Sequence, residues 1–67
     1  MTSGPEIYFR STAEDGIYRA KSYIDQGRKA KAQDTLLDAK FWAVKCKGDV
    51  RTALMEEIEA LQRSIYS

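Results

Sequence analysis

Two single glycines, Gly27 and Gly48, separate three segments of this 67-residue chain in which apolar residues repeat with helical spacing. Glycine readily adopts the left-handed conformation that ends a helix. The connections that follow, Gly27-Arg28 and Gly48-Asp49, are very short, and short connections place consecutive helices as antiparallel neighbours. The sequence therefore predicts an all-α fold, in which residues 11–67 form a three-helix up-down-up array.

The first ten residues, MTSGPEIYFR, show no helical periodicity. The Gly4-Pro5 pair favours a turn, and large β-prone residues follow it. We therefore expect residues 1–10 to form an extended N-terminal arm that lies over the helices. Ser11 and Glu14 have the spacing of a capping box, which places the start of the first helix at Ser11.

The second helix is predicted to span Lys29–Lys47 and to carry two apolar stripes. One stripe is mostly small, and we expect it to face Gly16 and Ala20 of the first helix; it contains Ala32, Leu36, Ala39, Ala43 and Cys46. The other is bulky and suits a third helix or a partner; it contains Ala30, Leu37, Phe41 and Val44. A helix with two stripes needs two neighbours.

The third helix is predicted from Val50 to Ile65, with Asp49 as its N-cap. It carries one stripe at coiled-coil spacing. This stripe would either pack on the other two helices or form the seam of a homodimer through Leu54, Ile58, Leu61 and Ile65.

Residues 13–39 carry a small–aromatic–Gly–small–large–small pattern, formed by Ala20, Tyr23, Gly27, Ala32, Leu36 and Ala39. This pattern resembles a single tetratricopeptide-type helical hairpin. With a third helix added, the chain is similar to a microtubule-interacting-and-trafficking domain. The resemblance implies that a groove binds a peptide or a helix, which is an expectation from fold alone.

The residue inventory limits the chemistry available to the chain. It contains no histidine and a single cysteine, Cys46, so imidazole acid–base catalysis and a Cys/His zinc site are excluded. The carboxylates Glu56, Glu57 and Glu59 fall opposite the apolar stripe, on a face expected to be solvated. We therefore expect a non-enzyme with no catalytic residues, metal or cofactor.

The cellular setting follows from two further features. A lone cysteine fits a reducing compartment. No apolar run approaches the roughly 18 residues that a membrane span needs. We expect a cytoplasmic protein that does not act at a membrane.

These features favour a small protein-interaction module, an adaptor or an inhibitor, whose partner the sequence does not identify. Proteins of this size occur among phage and mobile-element proteins that disable a host complex. We expect the partner to contact the second helix around Trp42, Phe41 and Lys45. The same surface is expected to include Arg28, Lys29 and Lys31 at one end and Tyr8 or Phe9 from the arm.

Two alternatives remain open. The arm could fold over Trp42 and bury it, which would make Trp42 part of the core. The chain could also be a small helical nucleic-acid-binding regulator, because residues 28–48 hold six Lys and Arg against two Asp. The whole chain has a net charge of only +1, and its third helix is acidic, which makes nucleic acid the less favoured partner.

Overall fold

A computed structural model describes residues 4–66, which form three α-helices: α1 (Gly4–Asp25), α2 (Lys29–Ala43) and α3 (Gly48–Tyr66). The expected all-α three-helix array is confirmed. Helix α2 is shorter than predicted, because it ends at Ala43 and residues 44–47 form a turn. Asp49 lies in the first turn of α3, where its negative charge is favourable to the helix dipole.

The expected extended arm is wrong for residues 4–10, which form the first two turns of α1. Proline is accepted in a first helical turn because its missing N–H has no partner there in any case. The expected capping box at Ser11 is likewise wrong, because Ser11 lies in the middle of α1. The helix is continuous through this region, and the Thr12 hydroxyl donates to the Tyr8 carbonyl one turn earlier, at 2.7 Å. Residues 1–3 of the expected arm lie outside the described residues.

Helices α1 and α2 approach most closely at Gly16. A Cβ atom built on Gly16 would stand 2.9 Å from the Cβ of Ala39, closer than real Cβ atoms come. Small buried residues surround this point on both helices, namely Ala13, Ala20, Ala32 and Ala43. The expected contact between the small stripe of α2 and the Gly16/Ala20 face of α1 is thus confirmed.

The turn between α1 and α2 is a Schellman motif. Gly27 has φ +76°, and its N–H donates to the Ile24 carbonyl at 3.0 Å. The Arg28 N–H donates to the Tyr23 carbonyl at 2.8 Å. The Arg28 guanidinium lies 5.3 Å from the centroid of the Tyr23 ring, where this motif usually has a contact between two apolar side chains. The chain therefore reverses direction directly after α1.

Helix α3 packs its apolar stripe inside the monomer. Leu54, Ile58 and Ile65 are buried, and Leu61 is partly buried against the core. An ion pair of 3.0 Å between Lys21 and Glu57 also joins α1 to α3. This burial favours intramolecular packing over a homodimer seam through the same four residues.

Replacing Gly16 with alanine tests the close approach of α1 and α2. In an ordinary helix Gly→Ala is stabilising, by roughly 0.5–1 kcal/mol. Here we expect a loss of about 1–3 kcal/mol in the free energy of unfolding, because the added methyl group forces the helices apart. Urea denaturation measures this loss.

The matched control is Ser11→Ala, at an exposed mid-helix position of α1. It should leave stability unchanged or raise it slightly. Adding Ala39→Gly to Gly16→Ala should restore part of the lost stability, because it removes the Cβ atom that the new methyl group meets. In a double-mutant cycle this appears as a favourable coupling energy between the two substitutions. A stabilised Gly16→Ala chain would contradict the close approach.

Candidate partner-binding surface

Four aromatic side chains meet where the start of α1 lies beside the end of α2. We call Tyr8, Phe9, Phe41 and Trp42 the aromatic cluster. Trp42 is central: its ring centroid lies 5.6 Å from Tyr8, 5.8 Å from Phe9 and 5.2 Å from Phe41. Phe9 stacks on the indole, whereas Tyr8 and Phe41 meet it edge-on. These are the preferred geometries for aromatic pairs.

Lys45 lies over this cluster from the turn that follows α2. Its Nζ atom is 4.8 Å from the centroid of Phe41 and 5.7 Å from that of Phe9. Each cation–π contact at an exposed site is worth roughly 0.5–1 kcal/mol. The two rings, one from each helix, therefore hold the ammonium group at the edge of the cluster.

The members of the aromatic cluster differ in exposure. Phe41 is 55% exposed and Tyr8 is 57% exposed, whereas Trp42 and Phe9 are partly buried against the core. The first turns of α1 do cover part of Trp42, but as a helix and without burying it fully. The most exposed rings of this surface are therefore Phe41 and Tyr8.

The exposed surface continues along α2 beyond the residues expected from sequence. Leu37 is 52% exposed and Val44 is 42% exposed. With Phe41 they form what we call the outer face of α2. The sequence signal for Leu37 and Val44 is their place in the bulky stripe, which was expected to meet a third helix or a partner; α3 does not cover it. The structure places the small stripe in the core and leaves the bulky stripe exposed.

Arg28, Lys29 and Lys31 lie apart from the aromatic cluster. They lie at the beginning of α2, and at 1.5 Å per residue Lys29 is about 20 Å along the helix axis from Trp42. All three are exposed, and Arg28 also covers Tyr23 in the turn after α1. The predicted site therefore divides into two groups at opposite ends of α2.

The positive charge of α2 and its flanking turns is not neutralised within the described part of the chain. There, the ion pairs are Arg10–Glu14 and Arg19–Asp15 within α1, and Lys21–Glu57 between α1 and α3. None of the six Lys and Arg of residues 28–48 belongs to an ion pair among these described residues. An external anionic group therefore meets little competition there.

Other chemistry has little support in the described structure. Cys46 is buried, and its thiol lies 3.8 Å from the Trp42 carbonyl. Glu56, Glu57 and Glu59 are exposed, as expected. Among the residues whose side chains the structure describes, no cluster of three or more could bind a metal ion. None of the three described helices is both long enough and apolar enough to cross a bilayer.

Comparisons with known proteins add no relative: no family model, no curated protein and no solved structure matches this chain. The resemblance to a tetratricopeptide-type hairpin or a microtubule-interacting-and-trafficking domain therefore stays a prediction.

Replacing Trp42 or Phe41 of α2 with alanine should show which of the two rings stabilises the fold and which is mainly a surface group. We expect Trp42→Ala to lower the free energy of unfolding by about 2–4 kcal/mol, because the partly buried indole supports three other rings. Phe41→Ala should cost about 1 kcal/mol or less, because more than half of its side chain is in solvent. Thermal melts of both variants give the comparison, and equal losses would contradict it.

Proposed function

We propose that this chain is a small non-enzymatic protein-interaction module that binds a partner protein through Tyr8 and the outer face of α2. The observation that carries the proposal is the exposure of four large apolar side chains around the partly buried Trp42, namely Tyr8, Leu37, Phe41 and Val44. Tyr8 and Phe41 both contact the indole, and Leu37 and Val44 share the helix face of Phe41. Large exposed apolar patches on a small protein mark sites of interaction.

Folding of the bundle does not require this surface. Helix α2 already buries one stripe against its neighbours, with Ala32, Leu36, Ala39 and Ala43 in the core. A helix on the surface of a bundle needs only one apolar stripe. Since α1 and α3 both pack on the buried stripe, the second stripe is best explained by a further neighbour that is a separate molecule.

The composition of the surface fits a protein partner. Aromatic residues are enriched in protein interfaces, and well-packed aromatic anchors dominate their binding energy. Phe41 and Tyr8 are held in place by Trp42, so little side-chain freedom is lost on binding. Such a chain acts by occupying a surface, as a cytoplasmic adaptor or as an inhibitor of the kind that phage and mobile elements direct against a host complex.

Nucleic-acid binding is the second candidate, favoured by the unpaired Lys and Arg of residues 28–48 near exposed rings. Single strands bind by stacking on free ring faces. Lys45 already lies over the Phe41 ring, and aliphatic Leu37 and Val44 provide no stacking. The surface therefore suits a protein better.

Site-specific photo-crosslinking in the native host tests the proposal. A photo-reactive phenylalanine analogue is placed at position 41 or, as a control, at Tyr66, which is 73% exposed. Because α3 starts near the end of α2 and runs antiparallel to it, Tyr66 lies at the other end of the bundle from Phe41. We expect a protein adduct from position 41 that position 66 does not give.

The crosslinked protein is then purified, and its affinity is measured by calorimetry. Phe41→Asp should weaken binding at least 30-fold, the effect of losing a hot spot of about 2 kcal/mol or more. Tyr66→Asp should change the affinity less than twofold, and both variants should melt close to the wild-type temperature. An affinity unaffected by Phe41→Asp, or adducts only with nucleic acid, would show that the proposal is wrong.

A further inference from the structure

We propose that the partner segment on the outer face of α2 is an amphipathic helix whose acidic side chains lie over the C-terminal half of α2. This inference rests on the proposed function and names the kind of partner that the same surface binds. It is carried by two observations: the straight apolar stripe of the outer face, and the ammonium group of Lys45 held beside its C-terminal half.

The shape of the outer face fits a helix. Leu37, Phe41 and Val44 follow the i, i+4, i+7 spacing by which one helix packs along another. The exposed Ala30 continues the same stripe, so that its length is about 21 Å at 1.5 Å per residue. The described residues form helices and turns, so they provide no strand edge to which an extended peptide could add. A second helix lying along α2 buries the whole stripe.

Charged side chains lie beside the stripe along the whole of α2 and in the turn that follows it. At 100° per residue, Lys40 lies about 60° to one side of Leu37. On the other side Lys45, from the turn after α2, lies over the rings of Phe41 and Phe9. Both sides of the stripe are therefore cationic near Phe41 and Val44. In the middle of α2, Asp34 and Asp38 lie on the side of Lys45, and Arg28, Lys29 and Lys31 lie at its beginning. We place the acidic residues of the partner helix near Phe41 and Val44, because the ammonium group of Lys45 is held beside the apolar stripe there.

These lysines are available to a partner. Lys40, Lys45 and Lys47 make no ion pair with any described residue. Lys45 is fixed over the rings of Phe9 and Phe41, beside the apolar stripe. A carboxylate on a docked helix would meet this ammonium group at the edge of the apolar contact, where water is partly excluded.

A second copy of this chain is a poorer occupant. Residues 28–48 hold six Lys and Arg against two Asp. Two α2 helices packed face to face would bring this positive charge against itself, and like charges across an interface are unfavourable. The apolar stripe of α3 is already buried inside the monomer, so it cannot supply the second helix.

Selection from a displayed library of random 20-residue peptides tests the inference. Peptides are selected on the full chain and counter-selected on its Phe41→Asp variant. We expect the enriched peptides to show apolar residues at helical spacing and an excess of Asp and Glu over Lys and Arg. A synthetic peptide of the consensus should gain helicity by circular dichroism on mixing with the chain, and its affinity should fall as salt rises.

Two matched triple variants locate the charge contact. Lys40→Gln/Lys45→Gln/Lys47→Gln should weaken binding of the consensus peptide at least tenfold. Arg28→Gln/Lys29→Gln/Lys31→Gln removes the same charge at the other end of α2 and should change binding less than threefold. Because Lys45 contacts two rings, the double variant Lys40→Gln/Lys47→Gln serves as a second test that leaves the aromatic cluster intact, and it should still weaken binding at least threefold.

The failures of the two proposals are distinguishable. If the enriched peptides depend on Phe41 but are basic, or remain extended when bound, the proposal of an acidic partner helix is wrong and the docking surface stands. Enriched peptides that bind the Phe41→Asp chain equally well contradict the surface itself. Tighter binding of single-stranded DNA or of phosphatidylserine vesicles, or a dimer by light scattering that Phe41→Asp dissociates, also overturns the acidic helix.

Discussion

The close approach of α1 to α2 at Gly16 is the constraint on which the rest of the molecule depends. Only small side chains fit at this crossing, because the Ala39 Cβ already fills the space that a Cβ of Gly16 would need. The large side chains of α2 must therefore lie elsewhere on its circumference. Leu36 enters the core, Trp42 lies at the edge of the crossing, and Phe41 turns outward. The packing of the bundle and its exposed surface are consequences of the same crossing.

The antiparallel arrangement also explains why two helices share one surface. The Schellman turn at Gly27 reverses the chain so directly that the first turns of α1 come to lie beside the last turn of α2. Tyr8 and Phe9 therefore meet Trp42, although more than thirty residues separate them along the chain. A site built across two helix ends has a fixed geometry only when both helices are formed. Folding and binding are thus linked at the aromatic cluster.

Sequence reasoning identified the three helices and the turn at Gly27, because apolar periodicity and glycine are strong local signals. It placed the second turn at Gly48-Asp49, whereas that turn occupies residues 44–47 and Gly48 begins α3. It placed the start of α1 wrongly, since Gly4-Pro5 and the β-prone residues after it suggest a break, whereas contacts with Trp42 favour a helix there. The sequence predicts Phe41, Trp42 and Lys45 together with Tyr8 or Phe9, and it puts Arg28, Lys29 and Lys31 at one end of that surface. It does not predict that both Tyr8 and Phe9 contact Trp42, because an extended arm alternates its side chains, whereas these two rings belong to a helix.

The crossing at Gly16 also shapes how a lineage that keeps this fold can change over evolutionary time. Most charged positions lie in solvent and can drift freely, so overall identity between distant descendants would decay quickly. Gly16 and Ala39 leave no room for larger side chains, and Gly27 holds a φ that other residues rarely adopt. These three positions, separated by eleven and twelve residues, would outlast nearly everything else in the chain. Members of such a lineage would be recognised by the spacing of these three positions rather than by overall sequence identity.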